Sequence, residues 1–171
     1  MVGKTSLIRK YVMDRFSDDY ISTLGTKVTK KALSVPRDDG NYELTMMIWD
    51  VEGIRNNMET NIESFSSSIP AGYLKGSEGI FLVFDLTRAD TLKSIDLWYQ
   101  GVVDQVGKEI PCLLLANKSD LKKSITIKQS DIDVHNKKHG FDVLYTSAKT
   151  GENVEKAFKK LANQVLDNIS E

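Results

Sequence analysis

The 171-residue sequence holds one cysteine, three prolines and no long apolar run, and each scarcity excludes a class of protein. One cysteine cannot build a disulfide framework, and Cys112 lies in the apolar run 111–116, where a buried thiol on a strand is expected. This usage favours a reducing, cytoplasmic compartment. No segment approaches the roughly 20 apolar residues that span a bilayer, and the N-terminus lacks the pattern of a signal peptide.

An excess of charge of one sign is missing as well. Lys and Arg number 23 against 24 for Asp and Glu, so the charge balance favours neither nucleic acid nor an anionic membrane as the main partner. The length and the 40% apolar content are ordinary for one soluble globular domain. Because no repeat or low-complexity linker divides the chain, we expect a single domain over residues 1–171.

Strands and helices alternate in the second half of the sequence. The apolar runs 79–85 and 111–117 read as strands buried on both faces, and 141–145 as a shorter strand. Apolar residues recur at helical spacing over 94–106 and 154–169. This alternation predicts an α/β fold with a mostly parallel, doubly wound sheet.

A hairpin is predicted nearer the N-terminus. The segments 29–35 and 42–50 carry strand patterns, and the turn-rich hexapeptide 36–41 separates them. The hairpin would add an antiparallel strand to the otherwise parallel sheet.

The chain opens with Gly3-Lys4-Thr5, which runs straight into a helical pattern. These residues match the second half of the phosphate loop G-x-x-x-x-G-K-[ST], whose backbone N–H groups face phosphates at a helix N-terminus. In such a loop the lysine reaches the outer phosphates and the following hydroxyl binds magnesium. Taken alone, a hydroxyl-rich helix start is an equally good interpretation.

The segment Asn117-Lys118-Ser119-Asp120 follows the second apolar strand and matches N-K-x-D. Doubly wound sheets bind ligands at the carboxyl ends of their strands. The carboxylate of Asp120 can accept hydrogen bonds from the ring N–H and the amino group of guanine, a donor pair that adenine lacks. A polar turn after a buried strand is the alternative.

Ser147-Ala148-Lys149 would by itself be a turn before a helix cap. In order with the phosphate-loop residues, the pair Asp50 and Gly53 and the N-K-x-D segment, it makes the whole chain resemble small GTPases of the Ras superfamily. The Rab branch is nearest, through 20–25, Trp49-Asp50, 73–76 and 85–87. The resemblance implies the three-layer P-loop NTPase fold, bound GTP or GDP with Mg²⁺, and switching between two nucleotide states.

The resemblance also implies roles for individual residues. Asn117 would tether loops, Lys118 would lie along the base, Phe16 would pack against it, and the Ala148 amide would donate to the guanine carbonyl. Thr23 and Gly53 would sense the γ-phosphate. The implied metal ligands are Thr5, Thr23 and, through water, Asp50. The implied nucleotide-binding residues are Val2, Gly3, Lys4, Thr5, Ser6, Phe16, Thr23, Gly53, Asn117, Lys118, Asp120, Ser147, Ala148 and Lys149.

Catalysis is the point at which the sequence departs from that family. Ile54 stands where a glutamine usually positions the attacking water, and its side chain has no hydrogen-bonding group. This leaves Lys4 as the catalytic candidate, and the chain reads as a slow GTPase. A pseudo-GTPase that serves as an interaction module is the alternative. A P-loop kinase is a third reading, but it leaves the N-K-x-D and Ser147–Lys149 segments unexplained.

The two ends of the sequence suggest further expectations. A complete phosphate loop needs a glycine and a strand before Met1, so we expect that the first central strand of the sheet is missing from these residues and that two half-sheets remain. The last residues contain no cysteine for prenylation, so we expect no direct lipid anchor in this chain. The expected partners are effector, exchange-factor and activating proteins at the switch loops, with recruitment to membranes through partners and no nucleic acid.

Overall fold

The order of secondary-structure elements was obtained from a computed structural model, which describes residues 1–18, 23, 25–38, 40–51, 53, 72 and 74–170. Helix α1 is followed by the hairpin strands β1 and β2, and strands and helices then alternate to the end of the chain. The bounds are α1 Lys4–Met13, β1 Thr26–Arg37, β2 Gly40–Val51, β3 Ile80–Asp85, α2 Ala89–Lys93, α3 Ile95–Val106, β4 Cys112–Asn117, a 3-10 turn Lys122–Ser124, α4 Gln129–His139, β5 Asp142–Thr146 and α5 Val154–Ser170.

Strands β3, β4 and β5 form a parallel sheet in that order. The register pairs Asp85 with Asn117 and Asn117 with Thr146, so all three strands end at one edge. Their apolar residues form continuous runs because both faces of the sheet are covered. The prediction of a doubly wound parallel sheet is confirmed.

One hydrophobic cluster lies on each face of this sheet. Leu82, Phe84 and Leu114 pack toward α3 and α4 through Ile95 and Ile132. The opposite cluster joins the sheet to α1 and α5, and its members include Leu7, Leu113, Leu115, Phe158 and Leu161. The ring of Tyr11 stacks on that of Phe158 at 3.8 Å between centroids, which ties α1 to α5. Helix α1 therefore packs against α5 on this face of the sheet.

The predicted hairpin is present, with longer strands than the sequence pattern indicated. Its register runs from Thr26 paired with Val51 to Arg37 paired with Gly40. Pro36 lies near the end of β1, a position where proline is tolerated because few ladder hydrogen bonds remain beyond it.

Among the described strands, the hairpin and the parallel sheet are separate sheets. A cleft of about 1140 Å³ lies where β2 and β3 face each other. Apolar side chains line it from both sheets, from α3 and from α5, including Met46, Ile48, Phe81, Trp98, Val102, Leu161 and Val165. The cleft is thus largely apolar, and neither β2 nor β3 pairs with a further strand there among the described residues.

Helix α4 has no counterpart among the sequence predictions. Only Ile132 of this helix is fully buried, so an apolar stripe does not mark it. Its ends are set instead by capping: the Lys128 backbone N–H donates to Asp131 at 3.0 Å, and Gly140 closes the helix at φ 68°. In the part of the chain that the structure describes, no helix is long and apolar enough to cross a bilayer.

Candidate functional site

The start of α1 lies at the edge where the parallel strands end. Gly3 precedes the helix with φ 95°, and a Cβ at this position would lie 2.4 Å from Nδ2 of Asn117. Nδ2 of Asn117 also donates to the carbonyl of Val2 at 2.9 Å. Glycine is required here because the backbone conformation and the close approach both exclude a side chain. The N-K-x-D segment thereby holds the phosphate-loop residues directly.

The first turn of α1 has the chemistry of an anion site. It contains no acidic side chain, and the free N–H groups of a helix N-terminus favour negative charge. A Cβ built on Gly53 would lie 3.1 Å from the ammonium of Lys4, so the Lys4 ammonium reaches the backbone at the end of β2. The structure therefore brings Lys4 and Gly53 together.

Thr5, Thr23 and Asp50 converge beside this helix start. The Thr5 hydroxyl donates to Oδ2 of Asp50 at 2.5 Å and lies 2.7 Å from the hydroxyl of Thr23. Asp50 is only 3% exposed, and its Oδ1 has no hydrogen-bond partner among the described residues. Buried carboxylate oxygens without a partner are costly, whereas a hard cation would satisfy them. Two hydroxyls and one carboxylate fit Mg²⁺, whose remaining ligands would be phosphate and water.

The side chain of Asn117 forms hydrogen bonds with several segments at the edge where the parallel strands end. It is 1% exposed, and its Oδ1 accepts from the Thr146 hydroxyl and from the Ala148 amide, each at 3.3 Å. Both bonds are long, and the one from the Ala148 amide therefore holds that amide only weakly. The Asn117 side chain thus joins the residues before α1 to the loop after β5.

The Asp120 carboxylate lies in a second set of contacts between these loops. The Ser147 hydroxyl donates to Oδ1 of Asp120 at 2.6 Å. Next to it, the hydroxyl of Ser119 donates to Oε2 of Glu152, also at 2.6 Å. Each hydrogen bond joins a hydroxyl of one loop to a carboxylate of the other. Residues 117–120 and 147–152 therefore form one connected unit.

Lys118 has a strained backbone and a buried ionic partner. Its φ of 68° lies in the left-handed region, which non-glycine residues adopt mainly where surrounding contacts impose it. Its ammonium lies 2.6 Å from Oδ2 of Asp85 at the end of β3. Burial alone would raise the pKa of Asp85, but hydrogen bonds from Lys118 and Thr87 outweigh it, so this pKa lies below its usual range. The ion pair fixes Lys118 along the strand edge.

Other predicted site residues have looser surroundings. Phe16 is 37% exposed, and the exposed Lys149 has Asp18 as an ionic partner at 3.9 Å. Ser6 lies in the first turn of α1 and is partly buried. Ile54 falls outside the described residues.

Three residues of the site were missed from the sequence: Asp85 as the partner of Lys118, and Ser119 with Glu152. Asp85 could have been found, because it ends a strand that pairs in register with the strand ending at Asn117. Ser119 and Glu152 lie 33 positions apart in the chain, and no local sequence pattern indicates that they meet.

Burial raises the pKa of the Cys112 thiol to about 12. The thiol is therefore protonated at neutral pH, in keeping with the structural role predicted for it on a strand.

Comparison with known proteins agrees with this geometry. A family profile described as the Ras family matches residues 1–167. The chain is 35% identical over 173 residues to Ras-related protein Rab-32A of Dictyostelium discoideum, covering 97% of this chain and 74% of the relative. Human Ras-related protein Rab-32 is 33% identical over 172 residues, covering 98% and 71%. Bovine Ras-related protein Rab-13 is 29% identical over 165 residues, covering 96% and 75%.

The family match extends over nearly the whole chain and includes the helix start, the strand ends and both loops just described. Its members are nucleotide-binding switches with the P-loop GTPase fold, which accounts for the parallel sheet and the antiparallel hairpin together. The chain belongs to the Ras family and is a Rab-like small GTPase.

Proposed function

We propose that this chain is a guanine-nucleotide switch that binds GTP and GDP with Mg²⁺ and hydrolyses GTP slowly. The observation that carries the proposal is the convergence of three groups at one edge: the N-terminus of α1, the oxygen cluster of Thr5, Thr23 and Asp50, and the loop pair around Asp120. Phosphate, magnesium and base would each have matching chemistry there.

Guanine selectivity is assigned to Asp120 and Ala148. Asp120 would accept from the ring N–H and amino group of the base, while the Ala148 amide, now on a long hydrogen bond to Asn117, would turn to the guanine carbonyl. Phe16 and Lys118 would cover the faces of the base. A site whose buried polar groups form hydrogen bonds with donors of the ligand rejects a ligand that lacks those donors. Adenine nucleotides should therefore bind weakly.

Switching is assigned to Thr23 and Gly53. Thr23 contacts the hydroxyl of Thr5, and Gly53 lies beside the Lys4 ammonium, so both stand next to the proposed phosphate and metal positions. A γ-phosphate that draws in both residues would order two loops, and effector, exchange-factor and activating proteins would read that order. Magnesium supplies charge neutralisation on the phosphates when bound.

We also propose that the functional domain includes a strand before Met1, seated in the cleft between β2 and β3. The cleft is largely apolar, and its two strand edges have no partner strand among the described residues. Met1 and Val2 line it at the end where β3 stops, so a preceding strand would run parallel to β3.

The test of the proposed function is nucleotide selectivity. The purified protein is titrated with GDP and with ADP, each with and without Mg²⁺, by isothermal calorimetry. We expect GDP to bind far more tightly than ADP and only weakly without Mg²⁺. Equal affinities for the two nucleotides would refute the assignment.

A pseudo-GTPase that keeps nucleotide without hydrolysing it is the second candidate. Ile54 favours it, because this side chain cannot orient a water molecule. A single-turnover assay of GTP hydrolysis separates the two candidates. The switch should hydrolyse GTP at a measurable rate that an activating protein raises, whereas the pseudo-GTPase should show no hydrolysis.

A further inference from the structure

We propose that Glu152 and Ser119 are positioning residues for base selectivity: they set the spacing between the loop that carries Asp120 and the loop that carries Ala148. This inference rests on the proposed guanine site and adds two residues that act through others. Neither residue belongs to the set expected to touch the nucleotide. We call the loops 117–120 and 147–152 the base loops.

The contact between the base loops is short and partly buried. The Ser119 hydroxyl donates to Oε2 of Glu152 at 2.6 Å, and Ser119 is only 8% exposed. Hydrogen bonds to a charged acceptor are about twice as strong as neutral ones. Ser119 is also held by its backbone, since its N–H donates to the Thr146 carbonyl at 3.0 Å.

The second loop folds around Glu152. The Ser147 N–H donates to the Glu152 carbonyl at 3.1 Å, and the Glu152 N–H donates to the Thr150 hydroxyl at 3.2 Å. The Gly151 N–H donates to the Ser147 carbonyl at 2.8 Å. The backbone of Glu152 is therefore fixed under Ser147, and its side chain extends to the other loop.

Two hydrogen bonds to carboxylates now bridge the base loops, and they differ in what they can do. The bond from Ser147 ends on Asp120 itself, on a carboxylate that guanine would also use. The bond between Ser119 and Glu152 uses no atom that guanine would need, so it stays intact when the base binds. Of these two bonds, it is therefore the one that can keep Asp120 at a fixed distance from the Ala148 amide during recognition.

Loss of this bond should act on the base and not on the phosphates. Both groups that would distinguish guanine lie on the base loops, whereas Lys4, Thr5 and the helix start do not. Catalytic and binding groups displaced by about 1 Å lose much of their effect. GDP affinity should therefore fall while ADP affinity, which depends on phosphate and ribose contacts, stays the same.

The experiment measures GDP and ADP affinities for the full 171-residue chain and its variants by calorimetry, with Mg²⁺ present. Glu152→Ala and Ser119→Ala should each weaken GDP binding about tenfold. Each should change ADP binding less than about twofold. The double variant should match the single ones, because one contact is lost in all three. Glu152→Gln keeps an acceptor for the serine and should recover most of the GDP affinity.

Glu155→Ala is the matched control, since Glu155 is an exposed glutamate three residues on that pairs with Lys159. It should leave both affinities unchanged. Thermal melting of each variant reports folding, and if Glu152→Ala does not fold, Ser119→Ala and Glu152→Gln still provide the comparison.

An equal loss of GDP and ADP affinity, or a lower melting temperature with unchanged affinities, would overturn the positioning role. A parent protein that itself fails to prefer GDP would overturn the proposed function together with this inference. A selective parent whose variants keep the same GDP preference would overturn the inference alone.

Discussion

The hydroxyl of Thr5 donates to the carboxylate of Asp50 at 2.5 Å, although the two residues lie 45 positions apart in the chain. The contact joins the first turn of α1 to the end of β2. Thr23 reaches the same hydroxyl at 2.7 Å, so three segments meet at one oxygen cluster. A cation bound there would connect all three.

The first prediction concerns this cluster. Thr5→Val keeps the shape of the side chain but removes the oxygen, so the proposed Mg²⁺ site loses one of its protein ligands. In the parent, chelation with EDTA should speed release of a fluorescent GDP at least about tenfold, because metal and phosphate bind together. In Thr5→Val, release should already be fast and should change little with EDTA.

Thr5→Ser is the matched control, since it keeps the hydroxyl. It should retain a response to EDTA close to that of the parent. If Thr5→Val responds to EDTA as the parent does, the oxygen cluster is not the metal site.

The second prediction is that Asp120→Ala removes most of the guanine preference. The variant loses the acceptors that adenine cannot use, at about 1.5–3 kcal/mol for hydrogen bonds to a charged group. GDP affinity should therefore fall at least about tenfold, with ADP affinity unchanged, in parallel calorimetric titrations. Asp104→Ala removes an exposed aspartate of α3 whose side chain accepts from Gln100, and it should alter neither affinity.

The third prediction concerns the rate of hydrolysis. Phosphoryl transfer in small GTPases depends on positioning of the attacking water, so we expect parent turnover at or below about 10⁻⁴ per second. Ile54→Gln should raise this rate in a single-turnover assay. Ile54→Leu has the same polarity as the parent and should leave the rate unchanged. Rapid hydrolysis by the parent would mean that another residue orients the water.

The fourth prediction concerns Asp96, the carboxylate that joins α3 to α4. It contacts His135 at 2.8 Å, Lys138 at 2.6 Å and His139 at 3.0 Å. Burial opposes ionisation, but these three hydrogen bonds outweigh it and lower the pKa of Asp96 from 3.8 to about 2. The stabilisation is therefore complete above about pH 4 and is lost as the pH falls through about 2.

Asp96→Asn should lower the free energy of unfolding at pH 7 by about 1 kcal/mol, a value reduced because Asp96 is 33% exposed and solvent screens the contacts. Urea unfolding of parent and variant should show this difference at pH 7 and its disappearance near pH 2. Asp104→Asn, which removes an exposed carboxylate of the same helix outside this cluster, is the control variant. A constant difference between parent and Asp96→Asn across this range would contradict the assignment.

The fifth prediction concerns the cleft between the two sheets. A version extended upstream of Met1 by its natural reading frame should melt at a higher temperature and bind GDP more tightly than the 171-residue chain. Each buried backbone group left unpaired costs about 1–3 kcal/mol, so a strand that pairs both edges recovers several such losses. The same extension with a proline at the centre of the added strand should lose most of this gain. Equal melting temperatures and equal GDP affinities for the short and the extended versions would contradict the proposal.

The sequence by itself determined the elements whose signals are local. Buried strands of a parallel sheet are continuous apolar runs, which is why β3 and β4 were predicted within one residue of their observed starts. The start of α1 and the position of Asn117 at a strand end follow from short motifs with their own chemistry. Helix α4 has no apolar stripe, so the hydrophobic pattern of the sequence does not predict it.

The tertiary structure alone decided which distant residues meet. The pairing of Lys118 with Asp85 depends on the register of β3 against β4, and that of Ser119 with Glu152 on the placement of β5 beside β4. Register and strand order arise from packing on both faces of the sheet, which a single segment does not encode.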